Sequence, residues 1–362
     1  MFNSLLLIKI ILQMWSWIKR IFGRKEEKEE QPENLLSQLP HIVLDEIIGK
    51  LDYRDICALR KTNRYLRGFI DFHKPNVLCS KINIAIKKDR INVTIYFDGS
   101  PEPFNLCYVN CFSRFCIVFA ESSSESTSVS LHHRNYFKWF LQDLLDFLKF
   151  QGGQKNLEIL QLVIENPKLE SKFLNLGIPE NIFKTQEFSL YSGTTCPDSE
   201  ILKIVDPGHL HSLRIKMKQP CADKVKMADE IANMEHWKNA AYVDSQDFST
   251  VDSRIFLNHE IFYGTQTVIT KDDMLFFKTF RHQPNFYSGR ISYDDLENED
   301  QIYDVLGPHK LEYRGNSGLP AKAWFYKMKD PEQFFAVDID HSRIYILVKE
   351  MEKLPNGAVL MD

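Results

Sequence analysis

Leu39 to Ile70 reads LPHIVLDEIIGKLDYRDICALRKTNRYLRGFI. Val43, Leu44, Ile47, Ile48 and Leu51 sit at offsets of 1, 4, 5 and 8, which is one face of an α-helix. A strand template fails, because it would put Asp45 and Gly49 on the apolar face. Pro40 stands at the helix entrance, where a missing N–H costs little. Asp52 can cap a second helix carrying Ile56, Ala58 and Leu59, and Asp55 three positions on comes close to a capping box. Asn63 can cap a third helix carrying Leu66, Phe69 and Ile70, which Pro75 stops. Leu39, Pro40, Leu44, Ile47, Leu51, Ile56, Leu59 and Leu66 together offer more apolar surface than three short helices can hide. That excess implies a partner or a neighbouring domain.

Upstream, Arg24 to Gln31 (RKEEKEEQ) is a mixed charge run and reads as a solvated linker. Before it, Phe2 to Ile18 is apolar and aromatic, interrupted by Lys9 and flanked by Lys19, Arg20, Arg24 and Lys25. It is short for a spanning helix, which needs about 20 apolar residues. It lacks the charged start and cleavage site of a signal peptide. Three readings stay open: a membrane-surface helix, a short anchor with the remaining chain on the cytosolic side, or a start misplaced upstream of the true one.

Downstream the texture changes. Ile82 to Ile86 and Ile91 to Phe97 alternate with period two, and Asp98-Gly99 follows as a turn. Phe112 to Ala120 reads as another strand, and Ser122 to Ser128 as a polar loop. Tyr136 to Phe150 is an amphipathic helix closed by Gly152-Gly153. Short strand-like runs then recur at Leu157 to Ile164, Glu187 to Leu190, Leu213 to Met217, Ala240 to Val243 and Glu260 to Phe262. Steps of 28, 25 and 29 residues separate Leu160, Phe188, Leu213 and Tyr242, with helix-like segments such as Pro197 to Val205 and Ala222 to Met234 between the runs. One strand and one helix per step is the rhythm of a leucine-rich-repeat solenoid, although no Leu-x-x-Leu-x-Leu signature appears. Met274 to Phe280 reads as a helix. Leu311 to Tyr313, Ala323 to Met328 and Phe334 to Val348 read as strands, with a turn at Asp340-His341.

The whole chain has 362 residues, 44% hydrophobic and 26% charged, as in a globular protein with real cores. A net charge of −4 gives no general basic surface for nucleic acid. Seven cysteines, an odd number, argue for reduced thiols in the cytosol or nucleus.

The search for chemistry yields little. No Gly-rich phosphate loop, GxSxG elbow or HExxH is present. Cys107, Cys111 and Cys116, followed by His132-His133, lack the spacing of a zinc knuckle and read as strand cysteines. His209 and His211 read as a solvated pair on one strand face, and His259-Glu260 as strand surface. Asp338 and Asp340 alternate on a strand, and the solvent face is the expected place for them. Phe276, Phe277, Phe280, Phe286 and Tyr287 lack the interleaved basic residues of a nucleic-acid platform and read as core or a protein-binding face. No catalytic, cofactor or metal residues are assigned, and an enzyme is not expected.

Leu39 to Ile70 closely resembles an F-box. The features are Leu39-Pro40, Val43-Leu44, Ile47-Ile48, Leu51, Asp52, Ile56, the Leu59-Arg60-Lys61 run and the closing Arg64-Tyr65-Leu66-Arg67. Lys61-Thr62-Asn63 departs from the usual Cys or Val plus Ser or Cys, off the apolar face. The remainder resembles the FTH class of F-box proteins. An F-box ending in Phe69-Ile70-Asp71 precedes alternating Ile/Val strands, the Phe/Leu-rich helix, weak repeats and a C-terminal Phe334-Phe335-Ala336-Val337-Asp338 hairpin.

The expected fold is α+β: a three-helix F-box, then an α/β leucine-rich-repeat-like domain with a C-terminal antiparallel hairpin. The expected boundaries are 1–23 for the apolar segment, 24–38 for the linker, 39–74 for the F-box, 75–134 for a mainly strand region and 135–355 for the FTH-like domain. The resemblance implies that Leu39, Pro40, Val43, Leu44, Ile47, Ile48, Leu51, Ile56, Leu59, Arg60 and Leu66 dock onto a Skp-family adaptor and, through it, a cullin. The C-terminal domain would then capture a protein substrate for ubiquitination. A membrane-tethered or ligase-independent F-box scaffold is the alternative, with residues 2–23 as the membrane contact.

Overall fold

The computed structural model describes residues 39–362 except 52, 63, 74–78, 99, 101, 112–114, 123–124, 133–134, 151–156, 194–197, 218–223, 251, 309–310 and 315–319. The apolar segment 1–23, the linker 24–38 and the expected caps Asp52 and Asn63 lie outside the described residues. The chain divides into two compact units. One comprises Met1–Leu78 with Phe147–Gly152, and the other Cys79–Asp146 with Gly153–Asp362.

In the first unit the 3.6-residue pattern becomes α1 (His41–Ile48), α2 (Tyr53–Thr62) and α3 (Arg64–His73). Leu44, Ile48, Ile56, Leu66, Phe69 and Ile70 close into one core, and Leu39, Leu51 and Leu59 pack against it. Two polar links tie the ends. Arg60 Nε donates to Asp71 Oδ1 at 2.6 Å and Nη2 to Oδ2 at 3.1 Å, joining α2 to α3. His73 Nδ1 lies 3.0 Å from Asp45 Oδ1, joining α3 to α1.

Among the described residues the second unit is built on one sheet of sixteen strands. A hairpin of β1 (Cys79–Ile86) and β2 (Arg90–Phe97) starts an antiparallel run through β3 (Phe104–Cys111), β4 (Phe115–Ser122) and β5 (Glu125–His132). β1 also pairs in parallel with β6 (Leu157–Ile164), so the region before the helix α4 (Tyr136–Phe150) belongs to the same sheet as the strands that follow it. Tyr108 on β3 donates to Asp143 on α4 at 2.8 Å and meets Phe140 edge-on.

The centre is all parallel: β6, β7 (Thr185–Ser192), β8 (Ser212–Met217), β9 (Tyr242–Thr250), β10 (Ile261–Ile269) and β11 (Ser288–Leu296). The connections are α5 (Pro167–Leu174), the 3-10 helix Ser199–Ile204, α6 (Lys224–Ala232) with α7 (Glu235–Asn239), the 3-10 helix Ser253–Phe256, and α8 (Lys271–Thr279). After α9 (Glu299–Leu306) come β12 (Leu311–Arg314), β13 (Pro320–Lys327), β14 (Gln333–Ile339), β15 (Arg343–Glu350) and the short β16 (Leu360–Met361). β15 lies antiparallel to β11 and closes the parallel run.

One set of alternate side chains is core: Leu160, Leu162, Phe188, Leu190, Leu213, Ile215, Val243, Phe262 and Ile291 are all at most 1% exposed. The connecting helices supply the other wall with Phe173, Ile201, Ile231, Trp237, Phe256, Met274 and Phe277. Two glycines mark where rings press onto strands. A Cβ on Gly289 would stand 2.2 Å from Phe262 Cζ, and one on Gly264 2.4 Å from Phe256 Cζ. Only a residue without a side chain fits there.

Several expectations are corrected. Ser126 to Ser128 are strand, not loop: β5 pairs antiparallel with β4. Tyr242 is not the repeat partner of Leu213. The register sets Val243 opposite Leu213, and a slip of one residue turns a side chain to the other face. The strand expected at Glu260–Phe262 runs nine residues, to Ile269. Pro197–Val205 yields a 3-10 helix. His209 sits in a Pro207-Gly208 turn, where Asp206 holds its ring at 2.9 Å, so it shares no strand face with His211. Asp338 and Asp340 are buried, at 1% and 5% exposure. β14 is covered on both faces, so its alternation does not mark a solvent side. Among the described residues no helix is long and apolar enough to cross a membrane.

Candidate interaction surfaces

The helical bundle sorts the expected docking residues into three groups. Leu44, Ile48, Ile56 and Leu66 are at most 2% exposed and belong to the bundle's own core. Leu39, Ile47, Leu51, Leu59 and Arg60 are half-buried. Pro40 and Val43 face solvent. Their exposed company was missed in the sequence: Ile42 on α1 is 82% exposed and Phe72 on α3 is 83% exposed. Tyr65, one turn pair before Phe72 on α3, is 41% exposed. The signal was present. Ile42 and Phe72 are large apolar residues that fall off the periodic core stripe, which is where a docking residue has to be. Covering each with a partner is worth about 1.5–3 kcal/mol before association costs.

The second surface is the sheet face turned away from the helices. Strand register aligns Ser189, Arg214, Asp244, Tyr263, Arg290 and Tyr345 in one row across β7, β8, β9, β10, β11 and β15. The next row holds Glu187, Ser212, Tyr242, Ile261 and Ser288. The rows are cross-linked. Arg214 lies 5.0 Å over the Tyr242 ring and reaches Glu187 Oε2 at 3.4 Å. Arg290 lies 4.8 Å over the Tyr263 ring and donates to Gln246 Oε1 at 2.6 Å. Lys216 stands 3.7 Å from Asp244. Burial, with Asp244 nearby, pushes the Tyr242 phenol up to about 12, so it stays a neutral donor. The Nε atoms of Arg214 and Arg290 are buried and make no hydrogen bond. These rings and guanidinium forks are already ordered, and such residue types carry most binding energy in protein interfaces.

Most of the other described sequence candidates are packed or hydrogen-bonded within the sheet unit. Cys107 and Cys116 sit on neighbouring strands but out of register, and burial pushes the Cys116 thiol up to about 11, away from thiolate chemistry. His259 is buried, with Nδ1–H donating to the Ala240 carbonyl at 2.7 Å. His236 does the same from Nε2 to Val205 at 2.7 Å. Burial holds both imidazoles below their ordinary range. Phe277, Phe280 and Phe286 are core, whereas Tyr287 is 64% exposed.

Residues 36–78, which include the bundle, match the F-box domain model, and residues 168–309, within the sheet unit, match the FTH domain model. The chain carries an F-box and an FTH domain, and an F-box indicates a ubiquitin-ligase substrate adaptor in general. F-box domains generally bind a Skp-family protein within cullin ligases. No curated protein and no solved structure matches the chain.

Proposed function

We propose that this chain is a non-enzymatic substrate-recognition adaptor of a Skp–cullin–F-box ubiquitin ligase, working in the cytoplasm or nucleus. The observation that carries the reading is the F-box match over a bundle that completes its own core and still presents Ile42 and Phe72 to solvent. Pro40, Ile42, Val43 and Phe72 form the docking set for the Skp-family adaptor, and Leu44, Ile48, Ile56 and Leu66 act by holding the helices that display it. In the second unit the strand-and-helix steps read as a repeat-like, leucine-rich-repeat-like array. Its Tyr/Arg face, centred on Arg214, Tyr242, Tyr263 and Arg290, takes the protein substrate. The adaptor needs no reacting group of its own. It raises the local concentration of a substrate lysine beside a conjugating enzyme elsewhere in the assembly.

Co-purification of the full chain with a Skp-family adaptor and a cullin tests the reading, beside an Ile42→Ser/Phe72→Ser variant. Capture by the wild type and its loss in the variant support it. Capture of the adaptor without cullin turns it into a ligase-independent scaffold. No capture by a folded chain refutes it.

A further inference from the structure

At the far edge of the sheet a cavity of about 490 Å³ opens between the end of β11, α9 and the β14–β15 turn. Five carboxylates line it, from Asp294, Asp295, Glu299, Glu312 and Asp340, against Lys322 and His341. Lys322 is already engaged. Its Nζ lies 3.1 Å from Glu299 Oε1 and 3.1 Å from the Tyr303 hydroxyl, and 4.1 Å over the Tyr303 ring. One wall of the cavity thus demonstrates how it holds an ammonium group, with a carboxylate and a ring face together.

The other wall is the unusual one. The Asp340 side chain is 1% exposed. Its Oδ1 accepts the Ser342 N–H at 3.0 Å, and His341 Nδ1 stands 3.8 Å away. Its Oδ2 is buried and has no hydrogen-bond partner. The backbone is pinned in place, because Tyr293 donates its hydroxyl to the Asp340 carbonyl at 2.5 Å. A buried carboxylate oxygen without a donor is costly, and a cation that supplies N–H donors removes the cost. Asp294 and Asp295 stand exposed at the mouth.

We infer that this cavity binds a cationic side chain, a lysine or arginine carried by a partner polypeptide. It rests on the adaptor reading only in making that polypeptide a ligase substrate. The ligand's N–H groups donate to Asp340 Oδ2, and Asp294 and Asp295 attract and flank the charge at the entrance. The cavity lies beyond the Tyr/Arg face and is the more acidic of the two, with five carboxylates against Glu187 and Asp244 in the two rows of the face.

Fluorescence anisotropy of the full chain with a labelled tetra-arginine peptide tests this, with the citrulline peptide as its neutral counterpart. The citrulline peptide should bind at least tenfold more weakly. Asp294→Asn/Asp295→Asn, at exposed positions that leave the fold alone, should weaken tetra-arginine binding about tenfold, and so should Asp340→Asn. Asp229→Asn/Glu230→Gln, an equal charge change at exposed positions on α6, should leave it unchanged. Equal binding of the citrulline peptide, or equal loss in the α6 variant, overturns the inference. The same preparation is assayed for adaptor capture. Capture retained without peptide binding sinks the cavity alone, and peptide binding without capture sinks the adaptor reading alone.

Discussion

The bundle and the sheet unit leave large apolar side chains bare to different extents: among the described residues of the sheet unit the most exposed are Tyr287 at 64% and Val359 at 49%. The bundle is small, and with a complete core of Leu44, Ile48, Ile56, Leu66, Phe69 and Ile70 it still leaves Ile42 and Phe72 more than 80% exposed. The sheet unit buries whole aromatic ladders: Phe256 stacks on Phe262 at 4.6 Å, and Phe280 meets Phe286 at 4.7 Å. Its parallel strands also align tyrosines, arginines and carboxylates on one face. An apolar patch binds one standing partner by area, and a fixed polar face discriminates among partners by paired groups. The contrast fits the proposed division of labour between a constant adaptor and a selected substrate.

Leu66 belongs to the bundle's own core. Leu66→Ala removes a fully buried side chain and should cost the bundle about 2–5 kcal/mol. A thermal melt should lose its bundle transition while the sheet transition stays, and adaptor binding should go with the bundle. If both transitions fall together, the two units do not fold independently.

Ile42→Ser with Phe72→Ser acts on the exposed residues instead. No core contact changes, so the melt should stay put, while adaptor affinity falls about a hundredfold by titration calorimetry. Gly289→Ala addresses the other unit. A methyl 2.2 Å from Phe262 Cζ cannot be accommodated without moving the ring. The sheet transition should drop by about 1–3 kcal/mol with adaptor affinity unchanged.

The smallest effect is on pH. His236 and His259 are held below their ordinary value of 6.5 by burial. Below pH 6.5 the unfolded chain therefore binds protons that the folded chain does not, and stability falls as pH falls. The urea midpoint of the sheet unit should be lower at pH 5.5 than at pH 7.5, and His259→Asn should flatten the difference.

The bundle was legible in the sequence because its helices are spaced by a clean 3.6-residue stripe. α4 was read at its true bounds for the same reason. β6 and the β14–β15 hairpin were legible as dense apolar runs bounded by turns. β11 was not: Gly289 takes the first place on its core side, so only Ile291 and Tyr293 are left to mark the alternation. The Tyr/Arg face was hidden because it exists only in register. Arg214, Asp244, Tyr263 and Arg290 lie dozens of residues apart and become neighbours only when parallel strands align. The buried Asp340 escaped because alternation near a turn looks like a solvent edge, and only the covering of both faces of β14 shows otherwise.

Hydrogen exchange of the full chain with and without a Skp-family adaptor separates the two surfaces. Protection should appear in α1 and α3, the helices that carry Ile42 and Phe72, and β7 to β11 should exchange as before. Protection across β7 to β11 with none in α1 and α3 would contradict the assignment of the bundle to the adaptor and of the sheet face to the substrate.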